Sequence, residues 1–222
     1  MTHLKKSLIL SFALVCISSL QLHAQSSNLW LGVRAGVDLG KFSFDPALPS
    51  EETVGTKTGI TAGGELDYWF SDMMGITAQL LYTQKGLTED IADAEFTASS
   101  SFTIAYLQIP VLLKVAFGSG SIKPYIFAGP EVGIKISTSQ KLTEGGKTTT
   151  PDVPDSEFAS TNLGIMAGAG VSYTLNSSTM IFLDAAYDHG LSNLNGTSTK
   201  DKEKGYTRDY RICVGILFRL GD

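Results

Sequence analysis

The residues of this chain best suited to covalent chemistry are Asp188, His189 and Ser192. An enzyme that attacks an ester needs a nucleophile, a base and a third group that orients the base. In an extended strand, however, neighbouring side chains point to opposite faces, so Asp188 and His189 diverge. We therefore assign no catalytic residue and expect a protein that is not an enzyme. A lipid-modifying enzyme that uses His189 is the least favoured hypothesis for this chain.

Two further segments resemble ligand-binding loops but lack what those loops require. Residues 145–148, Gly-Gly-Lys-Thr, lack the earlier glycine and the following helix of a phosphate-binding loop, so a flexible surface loop is expected. The acidic residues from Glu89 to Glu95 do not have EF-hand spacing. After residue 24 the only histidine is His189 and the only cysteine is Cys213, which excludes a cysteine-rich zinc site and an internal disulfide. We expect no metal and no cofactor.

The first 24 residues have the pattern of a secretory signal peptide. Lys5 and Lys6 precede an apolar run at residues 7–20, and Ala24 provides a small residue for cleavage. Cleavage after Ala24 would leave residues 25–222 as a single domain. Loss of the two lysines changes the net charge from −5 to −7, which argues against nucleic acid as a partner.

Residues 102–136 show the pattern on which the rest of the chain is built. Apolar residues occupy alternate positions in two long arms, which are joined by a Gly/Ser turn at residues 118–121. Period-two alternation around a tight turn predicts a β-hairpin. The same alternation predicts eight strands, at residues 29–39, 58–69, 74–87, 102–117, 122–136, 161–175, 179–190 and 207–220.

The connections between the predicted strands alternate in length. Long polar segments follow the first, third, fifth and seventh strands, at residues 40–56, after 87, at 137–160 and at 191–206. In bacterial outer-membrane barrels short turns face the periplasm and long loops face outside. An even number of strands also returns both termini to the periplasmic side. The sequence thus predicts an all-β, eight-stranded, antiparallel, up-and-down transmembrane β-barrel in the cell outer membrane.

Charged residues fall on the strand faces that would point into this barrel. Seven are acidic and seven basic: Arg34, Asp38, Glu65, Asp67, Lys85, Lys114, Lys123, Glu131, Lys135, Asp184, Asp188, Asp209, Arg211 and Arg219. A soluble barrel would have the reverse arrangement, with an apolar interior. Eight strands leave an interior that side chains can fill, so we expect ion pairs to plug the lumen. A narrow or gated pore is the alternative. Inward glycines, such as Gly164, Gly168 and Gly170, would leave room for large neighbours.

Aromatic residues and prolines give two further expectations. Two interfacial girdles are predicted, one of Trp69, Phe70, Phe117, Tyr173 and Phe218 and one of Tyr82, Phe102, Tyr187 and Tyr210. Pro110 and Pro130 cannot donate ladder hydrogen bonds, and a closed barrel has no free edge at which to place them. We expect bulges or local water contacts at these two prolines.

Four segments resemble the PorT-type outer-membrane β-barrel proteins of Bacteroidetes. They are residues 106–114 (YLQIPVLLK), 123–130 (KPYIFAGP), 168–173 (GAGVSY) and 183–191 (LDAAYDHGL). The resemblance covers essentially the whole chain after residue 24. It implies an outer-membrane barrel without family-wide catalytic residues, and its name-giving branch is tied to protein secretion through the outer membrane.

These observations together predict a non-enzymatic integral outer-membrane barrel. Its lumen would be plugged, and its extracellular loops would serve recognition or a structural role. A transport component, or an accessory of a secretion machine, is the alternative. The expected partners are outer-membrane lipid and secretion or envelope proteins, and we expect a monomer.

Overall fold

A computed structural model describes residues 28–45, 54–93, 96–144, 147–151, 158–194 and 204–221. Within these ranges the backbone forms β1 (Leu29–Asp45), β2 (Val54–Trp69), β3 (Met74–Asp93), β4 (Phe96–Ala116), β5 (Ile122–Glu144), β6 (Lys147–Thr149), β7 (Thr161–Asn176), β8 (Thr179–Gly190) and β9 (Lys204–Leu220). None of the described segments is a helix of the length and apolarity needed to cross a membrane. The predicted signal peptide, residues 1–24, lies outside the described residues.

Eight of these strands close into an antiparallel ring in the order β1-β2-β3-β4-β5-β7-β8-β9. The first and last strands pair along their whole length, from Leu29↔Leu220 to Asp45↔Lys204. The pairing of β4 with β5 completes the ring. Strand β6 lies outside the ring and pairs with the end of β5. The predicted eight-stranded antiparallel barrel is thus confirmed, and closure leaves the ring without a free sheet edge.

The two ends of the barrel differ in the length of their strands. At one end, here called the turn end, residues 70–73, 117–121 and 177–178 connect the strands, and the predicted strand boundaries hold to within a residue or two. At the opposite end, here called the loop end, β1 extends to Asp45, β3 to Asp93 and β5 to Glu144. The prediction that residues 40–45, 88–93 and 137–144 belong to loops was therefore wrong, whereas residues 46–53, 152–157 and 195–203 of the predicted loops lie outside the described residues. A polar segment still forms a β-ladder when the backbone of a neighbouring strand pairs with it, as Ser99 of β4 pairs with Thr143 of β5.

The segment that resembled a phosphate-binding loop also forms a ladder at this end. Lys147–Thr149 is strand β6, which pairs with β5 residues 142–144, so the expectation of a flexible loop was wrong there. Residues 145–146 lie outside the described residues, as does Glu95 of the acidic segment. Glu89, Asp90 and Asp93 lie within β3.

Burial alternates along the strands as the sequence pattern requires. On β7, Leu163 and Ile165 are half exposed on the outer surface, whereas Asn162 and Met166 are buried. This alternation gives the barrel an apolar outer surface and an interior that buries charged and polar side chains together with apolar ones. A soluble β-barrel has the opposite arrangement.

Most of the predicted girdle aromatics lie on the outer surface, but two do not. Trp69 packs against the buried apolar cluster near the turn end. Phe102 packs towards the lumen, with its ring centroid 6.3 Å from that of Phe158. These two assignments were wrong because Trp69 shares its strand face with the buried Asp67, and Phe102 with the buried Ile104.

Pro110 and Pro130 interrupt the ladder without shifting its register at these positions. Beside Pro110 the β3–β4 ladder lacks two residue pairs, and beside Pro130 the β4–β5 ladder lacks two. Pairing then resumes with the same offset, so these prolines lie in gaps of the ladder and not in register-shifting bulges, and the alternative of local water contacts stays a prediction. The register shift of β4–β5 lies instead between Ala105 and Tyr106.

Small residues on the inner wall make room for rings on the neighbouring strand. Gly168 lies directly opposite Phe127, and Gly170 lies opposite Tyr125. A Cβ atom at Gly168 would lie 2.4 Å from Phe127 Cζ and 2.4 Å from the carbonyl oxygen of Ala185. The expected room for large neighbours is therefore present, and a side chain at Gly168 would overlap both a ring and a backbone atom.

Gly168→Ala is expected to destabilise the barrel by about 1–3 kcal/mol, because overpacking forces neighbours to move. Urea unfolding, followed by the mobility difference between folded and unfolded protein on a gel, would measure it. Ala167→Val is the matched control, since Ala167 faces the outer surface of the same strand. Equal unfolding midpoints for Gly168→Ala and the unchanged protein would contradict the packing described here.

Candidate functional site: the charged lumen

The lumen contains more carboxylates than cations. All seven predicted inward carboxylates are buried, namely Asp38, Glu65, Asp67, Glu131, Asp184, Asp188 and Asp209. Only four of the seven predicted cations are buried with them, namely Arg34, Lys85, Lys114 and Arg211. Lys123 and Lys135 are half-buried and Arg219 is exposed. The predicted seven-to-seven balance was therefore wrong. Lys123 and Arg219 lie near strand ends, where their long side chains reach water, and Lys135 Nζ donates to the Phe158 carbonyl oxygen at 2.7 Å.

The cluster of charges nearer the turn end, here called the lower charged cluster, contains Arg34, Glu65, Asp67, Lys114 and Asp184. The Arg34 guanidinium lies 2.7 Å from Glu65 Oε2 and 2.6 Å from Asp184 Oδ1. Lys114 Nζ lies 3.1 Å from Glu65 Oε1 and 2.7 Å from Asp67 Oδ2. Each cation thus joins two carboxylates, and Arg34 connects strands β2 and β8 across the lumen.

Neutral side chains complete the contacts of the lower charged cluster. The Tyr125 hydroxyl donates to Asp184 at 3.0 Å, and the Thr77 hydroxyl donates to Asp67 at 2.6 Å. Lys114 Nζ lies 4.9 Å from the centre of the Tyr125 ring, and the Arg34 guanidinium lies 5.2 Å from that of Phe182. Ring faces attract cations, so they replace part of the hydration that burial removes.

A second cluster nearer the loop end, here called the upper charged cluster, is formed by Asp38, Lys85, Gln108, Glu131, Asp188, Asp209 and Arg211. Lys85 Nζ lies 2.5 Å from Asp188, 2.6 Å from Asp209 and 3.8 Å from Glu131. These three carboxylates belong to β8, β9 and β5. One lysine therefore links four strands, including its own β3.

Arg211 is the other cation of the upper charged cluster. Its guanidinium lies 3.2 Å from Asp38 and 3.6 Å from Glu131, and its Nη2 donates to Gln108 Oε1 at 2.6 Å. The Gln108 amide in turn donates to Glu131. Gln108 shares the inner face of β4 with Lys114, and its role as a link between Arg211 and Glu131 depends on strands far apart in sequence.

Apolar layers close the lumen on both sides of the charges. Towards the loop end Ile104, Tyr106 and Leu194 are buried together, and Phe102 and Phe158 pack against them. A larger cluster begins at the turn end and extends along one side of the lumen to Met166 and Ala186, which are paired with Asp188 and Arg211. Its members are Trp30, Leu112, Ala116, Tyr125, Phe127, Met166, Met180, Phe182, Ala186 and Leu217. The ion-paired side chains between these layers are at most 6 % exposed, so side chains fill this part of the lumen.

The turn end opens into a cavity of about 720 Å³. Trp30, Ala116 and Met180 line its inner part, and Lys123 and Arg219 line it with the turn residues. The Arg219 guanidinium lies 5.0 Å from the centre of the Trp30 ring. Two of the cations missing from the charged clusters therefore belong to this water-accessible mouth.

The upper charged cluster has more carboxylate oxygens than hydrogen-bond donors that reach them. Asp38 Oδ1, Asp188 Oδ1 and Asp209 Oδ1 are buried and accept no hydrogen bond in the part of the chain that the structure describes. No group of three or more histidine, cysteine or acidic side chains in those ranges has an arrangement suited to a metal ion. Four carboxylates therefore share two cations, and loss of either cation would leave a strongly negative interior.

Lys85→Met is expected to destabilise the barrel by about 3–5 kcal/mol, because it leaves buried carboxylates without their partner. Asp209→Asn should destabilise the barrel much less, because it removes one negative charge from a cluster in which carboxylates outnumber cations. Urea unfolding midpoints would compare the two variants, with Lys123→Met at the barrel mouth as the control. A larger loss for Asp209→Asn than for Lys85→Met would contradict this charge count.

The three residues considered for covalent chemistry do not come together. Asp188 lies in the lumen beside Lys85, whereas His189 lies on the outer face, with Nδ1 3.5 Å from the Tyr187 hydroxyl. Ser192 Oγ donates to Asn162 Oδ1 at 2.9 Å and accepts from the Leu163 amide at 2.8 Å. The opposite faces of β8 thus separate the acid from the histidine, and Ser192 has a structural role.

Comparison with known proteins places this architecture among membrane barrels. Residues 23–196 match the family model described as outer membrane protein beta-barrel domain. No protein of curated function matches the sequence.

Several solved structures are similar to this chain at low sequence identity. Neisserial surface protein A is 15 % identical over 87 % of this chain and 97 % of its own, with a TM-score of 0.46. OprG from Pseudomonas aeruginosa is 14 % identical over 88 % and 97 %, with a TM-score of 0.48. Ail, the attachment invasion locus protein of Yersinia pestis, is 12 % identical over 86 % and 99 %, with a TM-score of 0.37.

Proposed function

Because the chain belongs to the outer membrane protein beta-barrel domain family, it is a small outer-membrane β-barrel protein, and we propose that it acts as a non-enzymatic, plugged barrel. In this proposal residues 1–24 direct export and are removed. The turn end and both termini then face the periplasm, and the loop end faces outside, as in bacterial barrels with short periplasmic turns.

The observation that supports a plugged barrel is the filling of the lumen. The upper charged cluster spans the interior, and Arg211 alone contacts side chains of β1, β4 and β5. Apolar side chains then cover the charges towards both ends. An ion that crossed the barrel would have to break several buried ion pairs at once. We therefore favour a barrel that holds its loop-end hairpins in place over a barrel that conducts ions.

The protein reconstituted in a planar lipid bilayer is expected to show no single-channel current. The double variant Tyr106→Ala/Arg211→Ala removes one residue of the loop-end layer and one cation of the upper charged cluster, and should produce measurable conductance if it folds. A porin in the same bilayer confirms that channels can be detected. Steady conductance of the unchanged protein would instead support the pore alternative.

The loop end carries the surface that we assign to recognition. Strands β3 and β4 continue as a paired hairpin up to Asp93↔Phe96, and β5 continues to Glu144, where β6 adds to it. The sequence there is rich in serine and threonine. Loops and hairpins on a rigid scaffold commonly carry binding functions, because the scaffold holds them without constraining their sequence.

Replacement of residues 91–98 by Asn-Gly would shorten the β3–β4 hairpin without disturbing the barrel, because Asp90 and Ser99 are directly paired. We expect normal folding and loss of surface cross-links to a partner in intact cells. The control exchanges the turn residues Ser119 and Ser121 for alanine at the opposite end. Unchanged cross-linking by the shortened protein would contradict recognition through this hairpin.

An accessory role in secretion is the second function proposed, and it rests on the sequence resemblance to PorT-type proteins. Two of the four similar segments, residues 106–114 and 123–130, lie on the neighbouring strands β4 and β5. Purification from membranes in a mild detergent separates the two proposals. A monomer favours independent recognition, whereas a large complex that survives hairpin shortening favours the secretion role.

A further inference from the structure

Three nitrogen-bearing side chains lie next to one another on the outer surface near the loop end. The register places Lys41 of β1 opposite Arg208 of β9, and Arg208 opposite His189 of β8. Strand alternation directs all three outwards, since each lies two positions from an outward-facing residue of its strand. Lys41 is exposed, and Arg208 and His189 are half-buried. We call these three residues the cation row.

The aromatic residues below the cation row indicate its depth. On the outer face of β9, Tyr210 is the next residue after Arg208 in the direction of the middle of the barrel. Tyr210 is directly paired with Tyr187 of β8, and the two ring centroids are 5.1 Å apart. One outward position below these tyrosines come Ile212 and Ala185. Tyrosines mark the interface between hydrocarbon and headgroups. The cation row therefore lies at the depth of the lipid headgroups.

Local contacts hold two members of the cation row in place. Arg208 Nη1 donates to the carbonyl oxygens of Gly190 at 2.8 Å and Thr207 at 2.7 Å, and the guanidinium lies 5.5 Å from the centre of the Tyr206 ring. The ring of His189 packs against that of Tyr187. A preorganised guanidinium loses less entropy when it binds an anion.

Strand β3 shows a neutral residue at the corresponding outward position. On β3 the outward residue beyond Tyr82 is the neutral Gln84, whose side-chain amide donates to the Tyr82 hydroxyl at 3.0 Å. The buried carboxylates of the row's own strands, Asp38, Asp188 and Asp209, face the lumen. The row is thus locally basic on a chain whose net charge is −5. Its sign and depth suit an anionic headgroup.

We propose that the cation row binds the phosphate headgroup of an outer-leaflet glycolipid, a proposal that rests on the orientation given under the proposed function. Lys41 and Arg208 supply the charge, and Arg208 can present its planar group to phosphate oxygens. His189 can donate a hydrogen bond from its ring in either protonation state. The acyl chains would lie along the apolar wall below the tyrosines.

Titration of the full chain in detergent with bis-phosphorylated lipid A, read by native mass spectrometry, tests this proposal. Each basic residue near a charged lipid surface contributes roughly a fivefold change in affinity, so Lys41→Gln/Arg208→Gln should weaken binding about 25-fold. Lys41→Gln alone should weaken it about fivefold and covers the case in which the double variant fails to fold. Lys123→Gln/Arg219→Gln removes the same charge at the turn end and should leave binding unchanged.

Two comparison ligands identify what is recognised. Dephosphorylated lipid A should bind at least tenfold more weakly, and millimolar inorganic phosphate should not displace the lipid. Equal binding of dephosphorylated lipid, full displacement by free phosphate, or equal losses in the turn-end control would each overturn the proposal. Because the titration does not depend on membrane orientation, accessibility of a cysteine introduced at Ser119 in intact cells tests the proposed orientation separately.

Discussion

Closure of the sheet is the constraint on which the rest of this structure depends. Within a bilayer every peptide N–H and C=O must find its partner inside the protein, and a ring of strands achieves this without an edge. Here the full-length pairing of β1 with β9 closes the ring. Once the ring is closed, strand alternation assigns one set of residues to lipid and the other to a narrow lumen. The interruptions beside Pro110 and Pro130 show that this ladder tolerates short gaps as long as the register resumes.

The narrow lumen explains why the buried charges form two linked clusters. Eight strands bring opposite walls within reach of one lysine or arginine side chain, so Lys85 contacts carboxylates on three other strands. Buried charges are tolerated when several oppositely charged partners surround them. Removal of one partner is then more damaging than replacement of all the paired charges by apolar side chains, because it leaves a buried charge without a partner. Glycines such as Gly168 allow Phe127 to fill the space that charges leave. The interior thereby holds strands together that share no backbone contact.

Because side chains fill the lumen, binding is left to the outer surfaces of the barrel. The charged clusters and the apolar layers on either side of them fill the lumen, which leaves the two water-facing ends and the outer wall as the surfaces able to meet other molecules. The loop-end hairpins project polar backbone and side chains beyond the apolar surface. The cation row lies just below them, above the paired tyrosines. Lipid contact and recognition are thus assigned to neighbouring surfaces at the same end of the barrel.

Alternation and turn spacing in the sequence were sufficient to predict the barrel, its strand number, its apolar outer surface and the inward position of all seven buried carboxylates. These features depend on neighbours along one strand, which a sequence displays directly. The sequence could not show that polar strands extend to Asp45 and Glu144, because such residues form ladders only when another strand lies alongside. Nor could it show that Lys123 and Arg219 leave the lumen for the mouth, or that Lys41, Arg208 and His189 meet. Those outcomes depend on the register between strands far apart in the chain, which only the closed tertiary structure decides.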